Sequence, residues 1–138
     1  MSVDIHTNLV RRFYEALEKA DYTAVTSMFH EDFVFYNQID TPHPGPEGFI
    51  AEEKKNIDAF RGIRMTVERT VAEGDRVGAF VVVEGNQTGE FRGLAPAGAH
   101  LRFSMFNLFT FKDRRIIEKR AHYNTQDILN QLKVGTRA

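Results

Sequence analysis

The sequence predicts an α+β fold, with helices in the first half and a curved antiparallel sheet in the second. Apolar residues recur at helical spacing up to about residue 60 and alternate with polar residues from Arg61 onward. Short turns rich in Gly and Asp separate the later runs, as in strands joined by hairpins. With 138 residues, 42% of them hydrophobic, the chain has enough apolar side chains for one core, so we expect a single domain over residues 1–138.

Three helices and a short strand are predicted in the first 60 residues. The first helix is amphipathic, and its apolar face consists of Ile5, Leu9, Val10, Phe13, Tyr14 and Leu17. Asp21 is a suitable N-cap for a short second helix, and residues 33–36 form a buried strand. Residues 38–48 contain three prolines and indicate a loop, and the last of these, Pro46, suits the first turn of the third helix. The apolar stripe of that helix includes Phe49 and Ile57, and residues 52–55 form its solvated side.

The second half predicts four strands and a final helix. Residues 63–71 and 77–83 alternate between apolar and polar side chains, and the second of these strands continues toward Phe91. Residues 93–98 form a loop, and residues 101–111 form a long strand with apolar odd positions interrupted by Asn107. A turn leads into a strand from Arg115, after which Asn124 or Thr125 caps the last helix. A sheet this twisted can curl around the first helix and close a pocket.

The strand from Arg115 carries polar residues on both of its faces. By simple alternation, one face consists of Ile116, Glu118, Arg120, His122 and Asn124. The other face consists of Ile117, Lys119, Ala121 and Tyr123. A lysine in mid-strand makes a poor core, so we expect the first face to run from packed core into a polar pocket.

Composition narrows the functional classes. Eighteen basic and 19 acidic residues leave a net charge of −1, which argues against a nucleic-acid binder. The absence of cysteine removes thiol nucleophiles and thiolate metal sites. The histidines lack paired metal-ligand spacing, and no phosphate-binding glycine loop occurs. Without a signal-peptide or membrane-span pattern, we expect a soluble, cytoplasmic protein with no membrane partner.

Three segments resemble motifs of one known family. Residues 85–98, GNQTGEFRGLAPAG, are similar to its GtHxGxfxGxxPtG pattern. Residues 112–118, KDRRIIE, are similar to its rDGkIxE turn, and residues 123–132 are similar to its yDt…QL tail. Taken together, the order and the spacing of these segments resemble those of the SnoaL-like polyketide cyclases, a family of the nuclear-transport-factor-two-like superfamily.

This resemblance implies a cone-shaped fold, in which a curved sheet surrounds the N-terminal helices and an internal pocket. It also implies a cofactor-free enzyme that closes a ring in a polyketide by an aldol-type reaction, and a homodimer through the outer face of the sheet. A base removes a proton next to a carbonyl, and nearby donors hold the enolate oxygen. By alignment with the motifs, the family's acid/base aspartate falls on Asn124 and its histidine on Gln87, neither of which titrates.

His122 is therefore the predicted general base, because an imidazole pKa of about 6.5 suits proton transfer near neutral pH. Asn124 is a catalytic candidate as a hydrogen-bond donor to the enolate, or alternatively a helix cap. Asp32 is the fallback base, although a helix-ending turn is the simpler interpretation of that segment.

Six further residues are predicted to touch the substrate: Tyr14, Tyr36, Phe49, Gln87, Asn107 and Arg120. For the two tyrosines, core packing with the hydroxyl at the rim is the alternative. Arg120 either holds an anionic substrate group or, as the simpler interpretation, pairs with Glu118 or with a helix carboxylate. Asn107 interrupts an apolar strand face and must find a hydrogen-bond partner there.

Three functions remain open at this point. The first is ring closure of a small apolar carbonyl compound by acid/base catalysis without a cofactor. The second is cofactor-independent hydroxylation of an aromatic polyketide, to which the missing carboxylate at Asn124 points. The third is non-catalytic binding of a small molecule, since a fold does not determine a function.

Overall fold

The computed structural model describes residues 2–37 and 41–137, with side chains described for residues 5–37 and 41–133. In these ranges it contains four helices and a curved six-stranded sheet. In chain order these elements are α1 (Ser2–Glu18), α2 (Tyr22–Ser27), β1 (Phe29–Asn37), β2 (Thr41–Pro44), α3 (Pro46–Ala59), β3 (Arg64–Glu73), β4 (Arg76–Asn86), β5 (His100–Lys112), β6 (Arg115–Tyr123) and α4 (Thr125–Arg137). The predicted α+β class is confirmed.

The strands lie in the order β2-β1-β6-β5-β4-β3. Hairpins join β3 to β4 and β5 to β6, and these pairs are antiparallel, as is β4 with β5. The pair β1–β6 is parallel, with Phe35 opposite Lys119. These two strands come from opposite ends of the chain, so no hairpin imposes an antiparallel orientation on them.

The segment predicted as a loop at residues 38–48 contains the edge strand β2, which pairs with β1. Prolines are tolerated at a sheet edge because their missing N–H groups face away from a partner strand. Residues 38–40 lie outside the described residues. Strand β1 begins at Phe29, four residues before the predicted strand, and so includes Asp32.

The apolar face of α1 packs on β3 and β4 and supplies part of the core. Phe13 and Tyr14 are buried and make edge-on contacts with Phe109 of β5. Two predicted helix starts are confirmed: the Asp21 carboxylate accepts the Ala24 N–H at 3.1 Å, and Pro46 lies in the first turn of α3. No helix in the described part of the chain is long and apolar enough to cross a membrane.

A bulge in β6 determines which of its side chains face the interior. Phe111 pairs with Ile116, but the preceding residue, Thr110, pairs with Glu118, so Ile117 is an extra residue in β6. An extra residue reverses the alternation of all the side chains beyond it. Ile116 and Lys119 are consequently buried on the same side of the sheet.

Candidate functional site

The predicted catalytic residue His122 lies on the outer face of the sheet. It is exposed and pairs with Phe106 of β5, whose side chain is itself 44% exposed. The prediction that Glu118, Arg120 and His122 face an enclosed pocket is wrong. The bulge at Ile117 turns this face outward. Simple alternation of side chains, counted along the sequence from Ile116, does not reveal the bulge.

Asn124 caps a helix, which was the alternative interpretation of this residue. Its side-chain oxygen accepts the backbone N–H of Asp127 at 3.0 Å, and its side chain is exposed. Asp32, the fallback base, also faces solvent, with a side chain that is 75% exposed. Its backbone N–H donates to His30 Nδ1 at 3.0 Å. His122, Asn124 and Asp32 are therefore not brought together.

Arg120 pairs with Glu118 rather than facing the pocket. Its Nε and Nη2 donate to the two carboxylate oxygens of Glu118 at 3.1 and 3.2 Å. The guanidinium group lies 3.9 Å from the ring centroid of Tyr36. The expected Arg120–Glu118 pair is confirmed, and Tyr36 takes part in this cluster instead of lining the pocket.

Three of the other predicted substrate contacts are structural. Tyr14 is buried in the core, and its hydroxyl has no hydrogen-bond partner within the described residues. Gln87 is buried and donates through Nε2 to the carbonyl oxygens of Gly89 and Leu94, which holds the loop after β4. Phe49 is fully buried, and its ring lies against the amine of Lys119.

A largely apolar pocket lies between α3, the inner face of the sheet and the start of α4. It encloses about 70 Å³, enough for several water molecules. Its walls are mainly apolar: Phe35, Phe60, Ile63, Met65, Val83, Phe91, Leu101, Phe103, Met105, Ala121 and Ile128. Its polar side chains are Asn37, Glu52, Glu53, Asn56, Arg92, Lys119, Tyr123 and Thr125. An apolar pocket with a few polar groups is typical of a small-molecule site.

Lys119 is the most unusual group in this pocket. Its side chain is 2% exposed, and Nζ donates to Asn107 Oδ1 at 3.0 Å. Four phenylalanine rings surround the nitrogen at 5.1 to 6.0 Å from their centroids: Phe13, Phe35, Phe49 and Phe109. Burial lowers the pKa of Lys119 from 10.5 to about 8, because a buried ammonium loses its hydration. The negative charge of Glu53 opposes this shift.

Glu53 of α3 is the acidic partner across the pocket. It is half-buried, and burial raises the pKa of its carboxyl group above 4.5, while Lys119 opposes the shift and Glu52 adds to it. The ion pairs of the described residues do not include Glu53 with Lys119, so the two charges act on each other through space. The prediction that Glu53 lies on the solvated side of its helix is wrong.

Asn107 positions the amine of Lys119. Its side chain is fully buried, its oxygen accepts the lysine hydrogen bond, and its Nδ2 has no partner in the described ranges. The expectation that Asn107 finds a hydrogen-bond partner on the inner face is confirmed for its oxygen. At the side of the pocket, the Tyr123 hydroxyl donates to Asn37 Oδ1 at 2.9 Å and ties β6 to β1.

Lys119 and Glu53 are the two groups that sequence reasoning missed. A signal existed for each. Phe49, Glu53 and Ile57 recur every four residues, which places Glu53 on the apolar stripe of α3. Lys119 interrupts a strand face that is otherwise apolar, and such an interruption also indicates a functional lysine.

These residues can do proton-transfer chemistry without a metal. Within the described residues, no group of three or more His, Cys, Asp or Glu side chains is arranged to hold a metal ion. Lys119 supplies an amine and Glu53 a carboxyl group, both with pKa values moved toward neutrality in a largely apolar pocket. Such shifts suit general acid/base catalysis near pH 7.

Residues 8–132 match the family model of the SnoaL-like polyketide cyclases. The chain belongs to this family. No curated protein matches the sequence significantly.

Solved structures share the fold of this SnoaL-like chain at low sequence identity. AclR of Streptomyces galilaeus, a proposed hydroxylase, is 21% identical, covers 96% of this chain and 98% of its own, and gives a TM-score of 0.87. IdmH of Streptomyces antibioticus, a proposed polyketide cyclase, is 24% identical, with coverages of 93% and 98% and a TM-score of 0.84. A SnoaL-like protein of Jannaschia is 23% identical, with coverages of 94% and 92% and a TM-score of 0.86.

Proposed function

We propose that this SnoaL-like protein is a cofactor-free enzyme of secondary metabolism that closes a ring in a polyketide-like carbonyl compound by an aldol-type reaction. The supporting observation is that Lys119 and Glu53 face the same apolar pocket. The family supports the reaction class, and the phenylalanine and methionine walls suit an apolar substrate. Lys119 and Glu53 take the acid/base role for which His122 was the sequence candidate.

In the proposed reaction, the Glu53 carboxylate removes a proton from the carbon next to a substrate carbonyl. Lys119 activates that carbonyl, so that the negative charge formed on proton removal is stabilised. The resulting carbon nucleophile attacks a second carbonyl of the same substrate and forms the new C–C bond. The protonated Glu53 then returns its proton to the new alkoxide, which restores the carboxylate.

The pKa values make this division of roles efficient. An acid or base works best when its pKa lies near the working pH. At pH 7 about a tenth of Lys119 is neutral, against about one part in 3,000 for a lysine at the ordinary value of 10.5. The raised pKa of Glu53 makes its carboxylate a stronger base than an exposed glutamate.

A test is the exchange of substrate α-protons in D₂O, followed by NMR with 3-phenylpropanal as an apolar probe. The wild-type protein is expected to accelerate exchange, and Glu53→Gln to lose about 10² of that rate or more. Glu31→Gln is the matched control, because Glu31 is exposed on β1 and is expected to keep the full rate. Equal exchange rates for the two variants would contradict the role of Glu53.

Hydroxylation is a second candidate, supported by the fold shared with AclR. The same Glu53 and Lys119 could deprotonate a quinol-like aromatic ring and make it more reactive toward O₂. Oxygen uptake with such a substrate distinguishes the two reactions, because ring closure consumes no oxygen. Tight binding of apolar compounds with neither oxygen uptake nor α-proton exchange would instead indicate a non-catalytic binding protein.

We also propose a homodimer through the outer face of the sheet. Phe80 and Phe106 pair on β4 and β5 and are 39% and 44% exposed, and Val71 on β3 is exposed as well. Adjacent exposed apolar side chains of this kind favour a protein interface. Light scattering of wild type and Phe106→Ser should show a dimer and a weakened dimer, respectively, whereas a monomeric wild type would contradict the proposal.

A further inference from the structure

The surroundings of Lys119 differ from those of a buried structural lysine. Lysine is almost never fully buried unless it is paired, and a structural ammonium usually has a carboxylate against it. Within the described residues, Nζ instead has one amide oxygen, on Asn107, and the faces of four phenylalanine rings. Glu53 is the charged group that acts on it, and only from a distance. Burial without a contacting carboxylate therefore raises the neutral share of this amine above that of an exposed lysine, and the neutral amine is a nucleophile.

Lys119 also borders the pocket. The residue as a whole is nevertheless 98% shielded from solvent. Asn107 accepts one N–H of the amine and thereby restrains its orientation. A neutral amine held in this way keeps its lone pair free for a bond to carbon, because the hydrogen bond uses an N–H and not the lone pair.

We propose that Lys119 activates the substrate covalently, as a Schiff-base nucleophile for an apolar aldehyde or ketone bound in this pocket. This inference rests on the proposed function, because it specifies how the carbonyl is activated.

Each step balances without an oxidant or a reductant. The lone pair of Nζ forms a C–N bond, the carbonyl π electrons move to oxygen, and a proton passes from nitrogen to oxygen to give a carbinolamine. Protonated Glu53 donates a proton to the hydroxyl group of the carbinolamine. The C–O bond breaks, water departs, and an iminium is formed. The Glu53 carboxylate removes the α-proton, and the enamine carbon attacks the second carbonyl. Protonated Glu53 then gives this proton to the alkoxide formed by the attack. Water then hydrolyses the new iminium: the C–N bond breaks, Lys119 is released as the neutral amine, and the proton set free returns to the Glu53 carboxylate.

Reductive trapping tests this proposal directly. Wild-type protein is incubated with 3-phenylpropanal and sodium cyanoborohydride in phosphate buffer at pH 7, and the labelled lysines are identified by peptide mass spectrometry. Because Lys119 has about 300 times more neutral amine at this pH than an ordinary lysine, we expect it to be labelled first. Labelling spread over exposed lysines, with none at Lys119, would overturn the proposal.

Two variants sharpen the result. Lys119→Arg keeps a cation but cannot form a Schiff base, so trapping at the pocket is lost, whereas Lys112→Arg, at the exposed end of β5, keeps it. Asn107→Asp places an anion beside Nζ, so trapping at pH 7 falls at least tenfold and recovers as the pH rises. If Lys119→Arg does not fold, the pH profile of trapping in wild type decides, with an expected midpoint near 8. A midpoint near 10 would contradict the proposal.

The same probe separates this inference from the proposed function. One outcome is α-proton exchange that depends on Glu53 with no trapping at Lys119. This outcome supports acid/base catalysis and contradicts the Schiff base. Trapping at Lys119 without exchange supports the nucleophile and contradicts the acid/base function. Failure of both experiments overturns both proposals.

Discussion

The two faces of β6 have opposite chemistry, although both carry charged residues. On the outer face, Arg120 forms a two-bond pair with Glu118, and His122 is exposed. On the inner face, Lys119 is buried with a neutral amide as its hydrogen-bond partner. An exposed charge keeps most of its hydration and therefore keeps ordinary chemistry, whereas a buried one is driven toward its neutral form. The difference teaches that burial, rather than residue type, distinguishes the charged groups of the two faces.

The largest expected difference between the faces is in activity. Lys119→Met should reduce α-proton exchange of 3-phenylpropanal by about 10²–10⁴, the usual range for an acid/base group. His122→Ala should leave the rate within about twofold, because His122 does not line the pocket. NMR exchange rates at pH 7 provide the measurement. A large loss in His122→Ala, with Lys119→Met active, would reverse our assignment of the two faces.

The next effect is on stability as a function of pH. Between pH 8 and 10.5 the unfolded chain keeps a proton on Lys119 that the folded chain has lost. The free energy of unfolding should therefore rise with pH in this window, by up to about 3 kcal/mol relative to Lys119→Met. Below pH 8 the contribution is constant, because both states are protonated. Urea titrations of both proteins at several pH values measure the difference.

A control on the exposed side belongs with that measurement. Lys112→Met removes a lysine that is exposed at the end of β5 and is the matched control for the loss of a lysine side chain. The pH dependence that Glu53 contributes has the opposite sign. Because its pKa is raised in the folded state, the free energy of unfolding falls as the pH rises from 4.5 through the pKa of the folded state. A flat difference between wild type and Lys119→Met would show that Lys119 titrates normally.

The smallest effect on stability is expected at Asn124, which directly follows β6. Asn124→Ala removes the N-cap of α4 and should cost about 1 kcal/mol of stability without changing the exchange rate. Thermal unfolding and the same NMR assay measure the two quantities. Loss of exchange with unchanged stability would mean that Asn124 serves the reaction after all.

Much of the fold was predictable because its signals are local. The helical spacing of α1, the cap at Asp21 and the proline at the start of α3 all depend on neighbouring residues alone. The alternation in β5 correctly placed Asn107 and Phe109 on the buried side. The family motifs predicted the overall architecture.

The site was less predictable because it depends on contacts between distant segments. Periodicity cannot reveal the bulge at Ile117, since whether a strand contains an extra residue is decided by its pairing with the neighbouring strand. Lys119 is buried only because α1, α3 and β1 contribute phenylalanines around it. Helix α3 turns Glu53 toward the same pocket, although four charged residues in a row suggested a solvated surface.

The sequence by itself therefore determined the helices, five of the six strands of the described residues, their order and the family of this protein. Only the tertiary structure decided that Lys119 rather than His122 enters the pocket. The physical reason is that the side a strand presents to the core is a property of the whole sheet, and the low polarity that changes the pKa of a lysine arises only when distant rings close around it.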